Sequence, residues 1–357
     1  MKVRFKFLAL FLLVASTAYA NPRNDFDGDG KSDPAVFRPG DAKWYMFPSA
    51  GSCPSTWAPA YGGCVKQWGL STDKPLVGDV DGDTKADLIV FRDGSVPTFY
   101  ISASTNQTFV VPGCRPANCP APPNLTVLPI QTDALIDIGD TNADGLDDLI
   151  SFSASDGFKW NVRQYHPSTG TITITYASAY ALAGAQLPIR PISEQYQGVS
   201  KKDPQVYAWF NGNAAVWARW VDEGSAVLFP QPFQGYSPTQ AEIPVASEFL
   251  GAAPGLWDHI LFDSGTWRIR KNLDNGAPSI QSWGLQYDKP LAGDFLNGDG
   301  KSELVVWRPG DGTWYVKDQD CSSNCPCPSY MTPHYGGCAK QWGLNGDIPI
   351  SAAGQNW

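Results

Sequence analysis

Histidine and methionine are nearly missing, with three of each in 357 residues. His166, His259 and His334 stand apart from one another, and neither His-Glu-x-x-His nor Gly-x-Ser-x-Gly occurs. The residue patterns of a zinc hydrolase and of a serine nucleophile elbow are therefore absent. Positive charge is also scarce: 26 Lys and Arg face 35 Asp and Glu, for a net charge of −9. That balance argues against nucleic acid or an anionic membrane as partner. No stretch after residue 20 approaches the roughly 18 apolar residues of a membrane span, so no transmembrane anchor is expected. Helical periodicity is lacking as well.

The N-terminus carries Lys2, Arg4 and Lys6, an apolar run from Phe7 to Val14, and Ala18-Tyr19-Ala20. This layout predicts a cleavable secretory signal over residues 1–20 and a mature chain from near Asn21. The expected product is secreted, or periplasmic in a bacterium. No cysteine stands just after the cleavage site, which argues against a lipid anchor. Loss of the three signal cations leaves the mature chain at about −12. Eight cysteines in an exported chain read first as disulfides. Cys53 to Cys64 and Cys327 to Cys338 both run from Cys-Pro-Ser to Tyr-Gly-Gly-Cys, which predicts bridges 53–64 and 327–338. Cys114 with Cys119 and Cys321 with Cys325 would close two smaller loops; a cysteine-rich metal site is the alternative.

Self-similarity governs the rest of the chain. One unit recurs as Gln-Trp-Gly-Leu, Asp-x-Pro, an acidic loop, an apolar strand, Arg-Pro-x-x-Gly and Trp-Tyr. Trp-Gly-Leu begins at Trp68, Trp283 and Trp342, and acidic loops begin at Asp25, Asp79, Asp140 and Asp294. There are six aromatic hairpins: Phe37 to Tyr45, Phe91 to Tyr100, Phe152 to Trp160, Trp209 to Trp217, Phe262 to Trp267 and Trp307 to Tyr315. The fourth and fifth units keep this frame but have lost the acids. Short segments rich in Val, Ile and aromatics, separated by Gly, Pro, Asn and Asp, are strand and turn chemistry. An all-β propeller of about six blades is expected, forming a single domain over residues 21–357. The first unit lacks the Trp-Gly-Leu element, and the C-terminus has a spare one with Asp347-Ile348-Pro349. The C-terminal segment is therefore expected to complete the first blade and close the ring.

Fourteen of the 35 acidic residues are candidate ligands in the four loops. The first offers Asp25, Asp27, Asp29 and Asp33, with the carbonyl of Lys31; the second offers Asp79, Asp81, Asp83 and Asp87, with the carbonyl of Lys85. The third offers Asp140, Asn142, Asp144 and Asp148 with the carbonyl of Leu146, and the fourth Asp294, Asn297, Asp299 and Glu303 with that of Lys301. Carboxylates two residues apart in a tight turn converge, and uncompensated they repel. An all-oxygen donor set suits Ca²⁺, so three to four structural calcium ions are expected. Thr84 stands where the other loops have glycine, which predicts strain. The last loop has one residue too many after Asp294. Position 12 counted from Asp25 is Val36 and the segment around it is strand-like, so an EF-hand is excluded. A solvated acidic turn is the plain alternative for each loop.

Asp-x-Asp-x-Asp-Gly-x-x-Asp ahead of a strand, within a repeating blade, resembles the FG-GAP/VCBS repeats of integrin α-subunit propellers and many bacterial exported proteins. The resemblance implies calcium in the loops, a propeller fold, and adhesion or recognition as the usual role. Arg38, Arg92 and Arg308 recur at one repeat position, which suggests that they brace blades. Trp57, Tyr61, Tyr330 and Tyr335 fall in the cysteine-closed insertions and are the candidate ligand-binding residues. The expected function is calcium-dependent adhesion or recognition of an extracellular glycan or protein ligand by a monomer, not an enzyme. A propeller-based polysaccharide lyase or glycosidase is the alternative, and a structural surface subunit a third reading.

Overall fold

The computed structural model describes residues 24–113, 130, 134–142, 144–153, 159–166, 169, 171–178, 185–195, 202–210, 214–221, 225–230, 242–247, 258–270, 278–321 and 326–350. The expected signal segment, residues 1–20, lies outside them. Strands come in chain order, sheet by sheet. The first sheet holds β1 (Ala35–Arg38), β2 (Lys43–Met46), β3 (Ala58–Ala60) and β4 (Gly63–Gln67). The second holds β5 (Lys74–Gly78), β6 (Asp87–Arg92), β7 (Thr98–Ser102) and β8 (Thr108–Pro112). The third holds β9 (Leu135–Gly139), β10 (Asp148–Ser153), β11 (Lys159–His166) and β12 (Thr171–Ser178). The fourth holds β13 (Ala185–Gln195), β14 (Lys202–Phe210), β15 (Ala214–Val221) and β16 (Ser225–Pro230).

The fifth holds β17 (Ile243–Ser247), β18 (Asp258–Asp263), β19 (Thr266–Arg270) and β20 (Ser279–Ser282). The sixth holds β21 (Lys289–Leu291), β22 (Leu304–Arg308), β23 (Thr313–Lys317), β24 (Thr332–His334) and β25 (Gly337–Gln341). The last strand, β26 (Ile348–Ile350), returns to pair with β1. These sheets are antiparallel, four of them simple meanders and the first and sixth carrying a fifth strand, and the architecture is an all-β propeller. Five sheets carry described side chains; the fourth is described by its backbone pairing.

The hairpin aromatics explain why each sheet is a packing unit. Phe37 faces Trp44, Phe91 faces Phe99, Phe152 faces Trp160 and Phe262 faces Trp267 across their strand pairs, with ring centroids 4.9 to 5.4 Å apart. Trp307 faces Trp314 in the sixth sheet. In the fourth, Tyr207, which stands where Phe37 does in the first unit, faces Trp217, and Trp209 faces Ala215. Trp44, Trp160, Trp267 and Trp314 are all buried, and such rings dominate core energetics.

The position of β26 is explained by its sequence. Pro349 faces Val36 in the register that Pro75 takes with Val90 and Pro290 with Val306. Proline lacks an N–H and belongs on an edge strand, which β5, β21 and β26 all are. A hydrophobic cluster then joins Val36 and Tyr45 of the first sheet to Trp307, Trp314 and Val316 of the sixth.

Trp-Gly-Leu stitches neighbouring sheets. Trp44, Trp267 and Trp314 donate their indole N–H to the carbonyls of Trp68, Trp283 and Trp342, at 2.8 to 2.9 Å. Trp68, Trp283 and Trp342 donate onward to Tyr100, Tyr315 and Tyr45 of the next sheet, at 3.2 to 3.3 Å. The glycine between has φ of +99° at Gly69 and +93° at Gly284, and a Cβ there would sit 2.9 Å from Val90 or Val306. Only glycine meets both demands.

Candidate metal centre and the aromatic hairpins

The acidic loops share one hydrogen-bond frame. Each first-position carboxylate spans two backbone N–H groups: Asp25 takes Gly28 and Gly30, and Asp79 takes Gly82 and Thr84, at 2.6 to 2.9 Å. Asp140 takes Asp144 and Gly145, and Asp294 takes Gly298 and Gly300. The last carboxylate closes each loop from below, as Asp33, Asp87, Asp148 and Glu303 accept from the N–H of Phe26, Val80, Thr141 and Phe295. Glu303 fits where aspartate sits elsewhere because its extra methylene spans the extra residue after Asp294. Asp29, Asp83, Asp144 and Asp299 accept from the N–H of Lys31, Lys85, Leu146 and Lys301. Thr84 has φ +69° where Gly30, Gly145 and Gly300 have +80° to +86°, so the expected strain is present.

Two loops bring three carboxylates together. Oxygens of Asp25, Asp27 and Asp29 lie within 4.8 Å of one another, as do those of Asp79, Asp81 and Asp87. No third such triad forms among the described residues. In the second loop the closing Asp87, rather than Asp83, completes the triad. Asp83 is drawn to the Ser104 hydroxyl instead. In the third, Asn142 donates its side-chain amide to Asp144 at 2.9 Å. Asn297 accepts from the N–H of Asp299 at 3.2 Å, and the Lys301 ammonium pairs with Asp320 at 2.7 Å.

Burial sets the electrostatics. It raises the carboxyl pKa of Asp25 and Asp79 to about 6, of Asp148 to about 7 and of Asp87 to about 8. It pushes Asp33 and Glu303 well above the usual carboxylate range, and Asp27 and Asp294 upward. Neighbouring carboxylates add to the shift, and backbone N–H bonds oppose it. The bare loops thus favour a proton or a cation. The first two loops, with three converging carboxylates each and no nitrogen or sulfur donor, fit a hard divalent cation such as Ca²⁺.

Sequence reasoning missed two features of these loops. Ser49 donates its N–H and hydroxyl to Asp33, at 2.7 and 2.8 Å, and its hydroxyl also reaches Asp29. Ser104 donates its N–H to Asp87, and Thr105 its hydroxyl to Asp81. A serine just past the second strand of both units was the available signal. The loops are also chained together. Ser32, Ala86 and Asp147 donate their N–H groups to the carbonyls of Asp294, Asp25 and Asp79, at 2.6 to 2.7 Å. The side chains of Lys31, Lys85 and Leu146 lie against Gly298, Gly28 and Gly82 of the loop behind.

The bridges Cys53–Cys64 and Cys327–Cys338 form as expected. Cys321 is disulfide-bonded, while Cys114, Cys119 and Cys325 lie outside the described residues. The four aromatic candidates divide. Trp57 is 8% exposed and packs on Phe26 at 5.6 Å, and Tyr330 donates its hydroxyl to the Phe295 carbonyl at 2.8 Å. The buried Trp57 supports the first acidic loop, and the partly buried Tyr330 supports the fourth. Tyr61 and Tyr335 are 85% and 92% exposed at the tips of the β3–β4 and β24–β25 hairpins. His166 pairs with Thr173 at 2.9 Å, and His334 lies between Tyr315 and Tyr335, tilted to the first and edge-on to the second. Arg38, Arg92 and Arg308 form two-pronged pairs with Asp347, Asp73 and Asp288 at 2.7 to 2.9 Å, the expected bracing role.

Repeated antiparallel sheets with an acidic loop heading the second strand define a β-propeller whose repeats carry acidic loops. Residues 25–110, which span the first two loops and sheets, match the FG-GAP-like repeat. No curated protein sequence matches the chain. Solved structures with a similar fold include BBS1N in complex with ARL6DN, at 12% identity over 83% of this chain and 77% of that one, TM-score 0.43. A protein from Lactobacillus plantarum has 10% identity over 87% and 88%, TM-score 0.41. A putative 6-phosphogluconolactonase from Bacteroides fragilis has 10% identity over 92% and 97%, TM-score 0.37.

Proposed function

We propose that this chain is an exported, calcium-loaded propeller of six blades, closed into a ring by β26, that recognises an extracellular glycan or protein ligand as a monomer. Residues 21–357 form its single domain, and three to four calcium ions brace it. Two disulfide bridges and the absence of a helix long and apolar enough to cross a membrane, among the described residues, are compatible with export. Closure is supported by the β26–β1 pairing and by the bond from Trp342 to the Tyr45 carbonyl. The ions serve structure, because the loops hang their carboxylates on their own backbone N–H groups and on one another.

The observation that carries the recognition reading is the pair of disulfide-closed hairpins that hold Tyr61 and Tyr335 out of the body of the protein. A rigid loop presents an aromatic ring to a partner with little ordering cost. The two exposed rings held on disulfide-closed hairpins favour recognition over the lyase or glycosidase reading. Glycan and matrix-protein arrays probed with and without EDTA test the proposal. Calcium-dependent hits are expected; depolymerisation of a polysaccharide by the pure protein would sink it.

A further inference from the structure

Two cavities repeat at equivalent junctions between sheets. One, of about 400 Å³, lies between the Trp342-Gly343-Leu344 turn and the first sheet, and is lined also by Arg38, Tyr45 and Tyr61. The other, of about 310 Å³, lies between the Trp283-Gly284-Leu285 turn and the sixth sheet, lined also by Arg308, Tyr315, His334 and Tyr335. Both belong to the five-stranded sheets, whose extra strands β3 and β24 build the overhanging hairpins. At the junction of Trp68 with Arg92 and Tyr100 the second sheet has four strands, and no such hairpin overhangs among the described residues.

The tip residues are not chosen for the turn. Ala60 pairs with Gly63, leaving a two-residue turn of Tyr61 (φ +55°) and Gly62 (φ +82°). His334 pairs with Gly337 around Tyr335 (φ +42°) and Gly336 (φ +84°). Two left-handed residues make the tight hairpin turn in which asparagine is preferred at the first position. A tyrosine there costs on the order of 1 kcal/mol, and rings this exposed recover little of it by burial. Backbone cost concentrated at an exposed ring, twice, points to a ligand.

The pocket chemistry narrows that ligand. Its walls are aromatic rings, with Tyr61 tilted 6.3 Å from Tyr45 and His334 edge-on 4.6 Å from Tyr335. The arginine in each is neutralised: Nε and Nη2 of Arg38 engage Asp347, those of Arg308 engage Asp288, and each guanidinium lies 4.1 to 4.2 Å over the Tyr45 or Tyr315 ring. Nη1 stays outside that fork as a donor. In the larger pocket Gln341 spends its amide on the Gly343 carbonyl and keeps an acceptor oxygen. Such a site offers stacking faces, in-plane hydrogen bonds and no net charge, in a volume at the low end for small-molecule pockets. We propose that the two pockets are equivalent binding sites for neutral pyranose sugars, one or two rings each, making the protein a bivalent glycan binder. This rests on the recognition reading above and gives it a ligand class and a place.

Titration calorimetry of the calcium-loaded protein with cellobiose, lactose, mannobiose and chitobiose, beside a hexuronate disaccharide, tests it. At least one neutral disaccharide is expected to bind two sites with Kd near 1 mM, about −4 kcal/mol each. Tyr61→Asn and Tyr335→Asn should each remove one site, and the double variant should lose affinity at least about tenfold without a fall in Tm, since asparagine suits the turn. Tyr61→Phe should retain binding through its ring. No neutral disaccharide binding at about 10 mM, preference for the hexuronate, or unchanged binding by the double variant would each overturn the proposal. If the double variant keeps its calcium-dependent array hits, the recognition reading stands and the pocket assignment falls. Disaccharide binding lost in the double variant, without any array hit, supports the pockets and removes the extracellular-ligand reading.

Discussion

The backbone N–H of Ala86 donates to the carbonyl of Asp25 at 2.7 Å, fastening the second acidic loop to the first residue of the loop before it. Ser32 does the same to Asp294, and Asp147 to Asp79. The four loops therefore form one hydrogen-bonded arc across the sixth, first, second and third sheets. A cation that stiffens one loop orders the anchor of its neighbour.

Chelation is accordingly expected to loosen the arc as a whole. With free calcium at about 100 times Kd, each filled loop contributes about 2.7 kcal/mol. Differential scanning calorimetry in calcium against EDTA should show a Tm drop of several degrees or more. Asp81→Asn, in the second loop, should weaken calcium binding by the first as well, seen as a loss of affinity in more than one titration step. An unmoved Tm would remove the metal from the fold.

The pH dependence of the metal-free protein has a definite sign. Burial raises Asp25 and Asp79 to about 6, Asp148 to about 7 and Asp87 to about 8, from an ordinary 3.8. The folded chain then holds more protons than the unfolded chain between roughly pH 4 and pH 8, so stability falls as pH rises through that window. In EDTA, Tm should be higher at pH 5 than at pH 8. Calcium should reverse the order, because it compensates the ionised loops. Equal chelated Tm values at the two pH values would contradict the burial of these carboxyls.

Thr84 is the one β-branched residue at the left-handed loop position, with φ +69°. Thr84→Gly should relieve on the order of 1 kcal/mol of strain. Raised Tm and tighter calcium binding by the second loop are expected; a lowered Tm would mean that the threonine side chain contributes more than its backbone costs.

The sequence carried the blade because the blade is local: aromatic hairpins, Asp-x-Pro and Trp-Gly-Leu each recur at a fixed spacing. The spare Gln341-Trp342-Gly343-Leu344 segment even foretold the partner of β1. The acidic loops were legible as a repeat, with an inserted residue after Asp294; that the longer Glu303 still reaches the Phe295 N–H emerged only from the structure. What sequence could not show was which way a ring points. Trp57 and Tyr330 share insertions with Tyr61 and Tyr335, yet Trp57 packs on Phe26 and Tyr330 reaches the Phe295 carbonyl, whereas the other two stand exposed at the hairpin tips. Ser49 and Ser104 escaped notice for the related reason that they come from a different segment and meet the loops only in space. The fourth sheet lacks the acids but keeps the blade pairing, with Tyr207 opposite Trp217 as Phe37 is opposite Trp44.

Arg308 tests how the blades are held. Its guanidinium meets Asp288 twice at 2.9 Å, and the Asp288 side chain is 2% exposed and also takes the Leu285 N–H at 2.8 Å. Removing one partner of a buried pair leaves an uncompensated charge, at a cost of about 3–5 kcal/mol when burial is complete. The arginine is 26% exposed, so water screens part of that cost and about 2 kcal/mol is expected of Arg308→Ala. Arg308→Lys should recover little, because an ammonium cannot reproduce the fork or stack on Tyr315. Asp288→Asn with Arg308→Ala should be less damaging than Arg308→Ala alone, since the stranded charge is gone. Urea denaturation of the calcium-loaded protein measures all three, and a double variant worse than the single would mean that Asp288 stabilises the turn at Leu285 independently of its arginine.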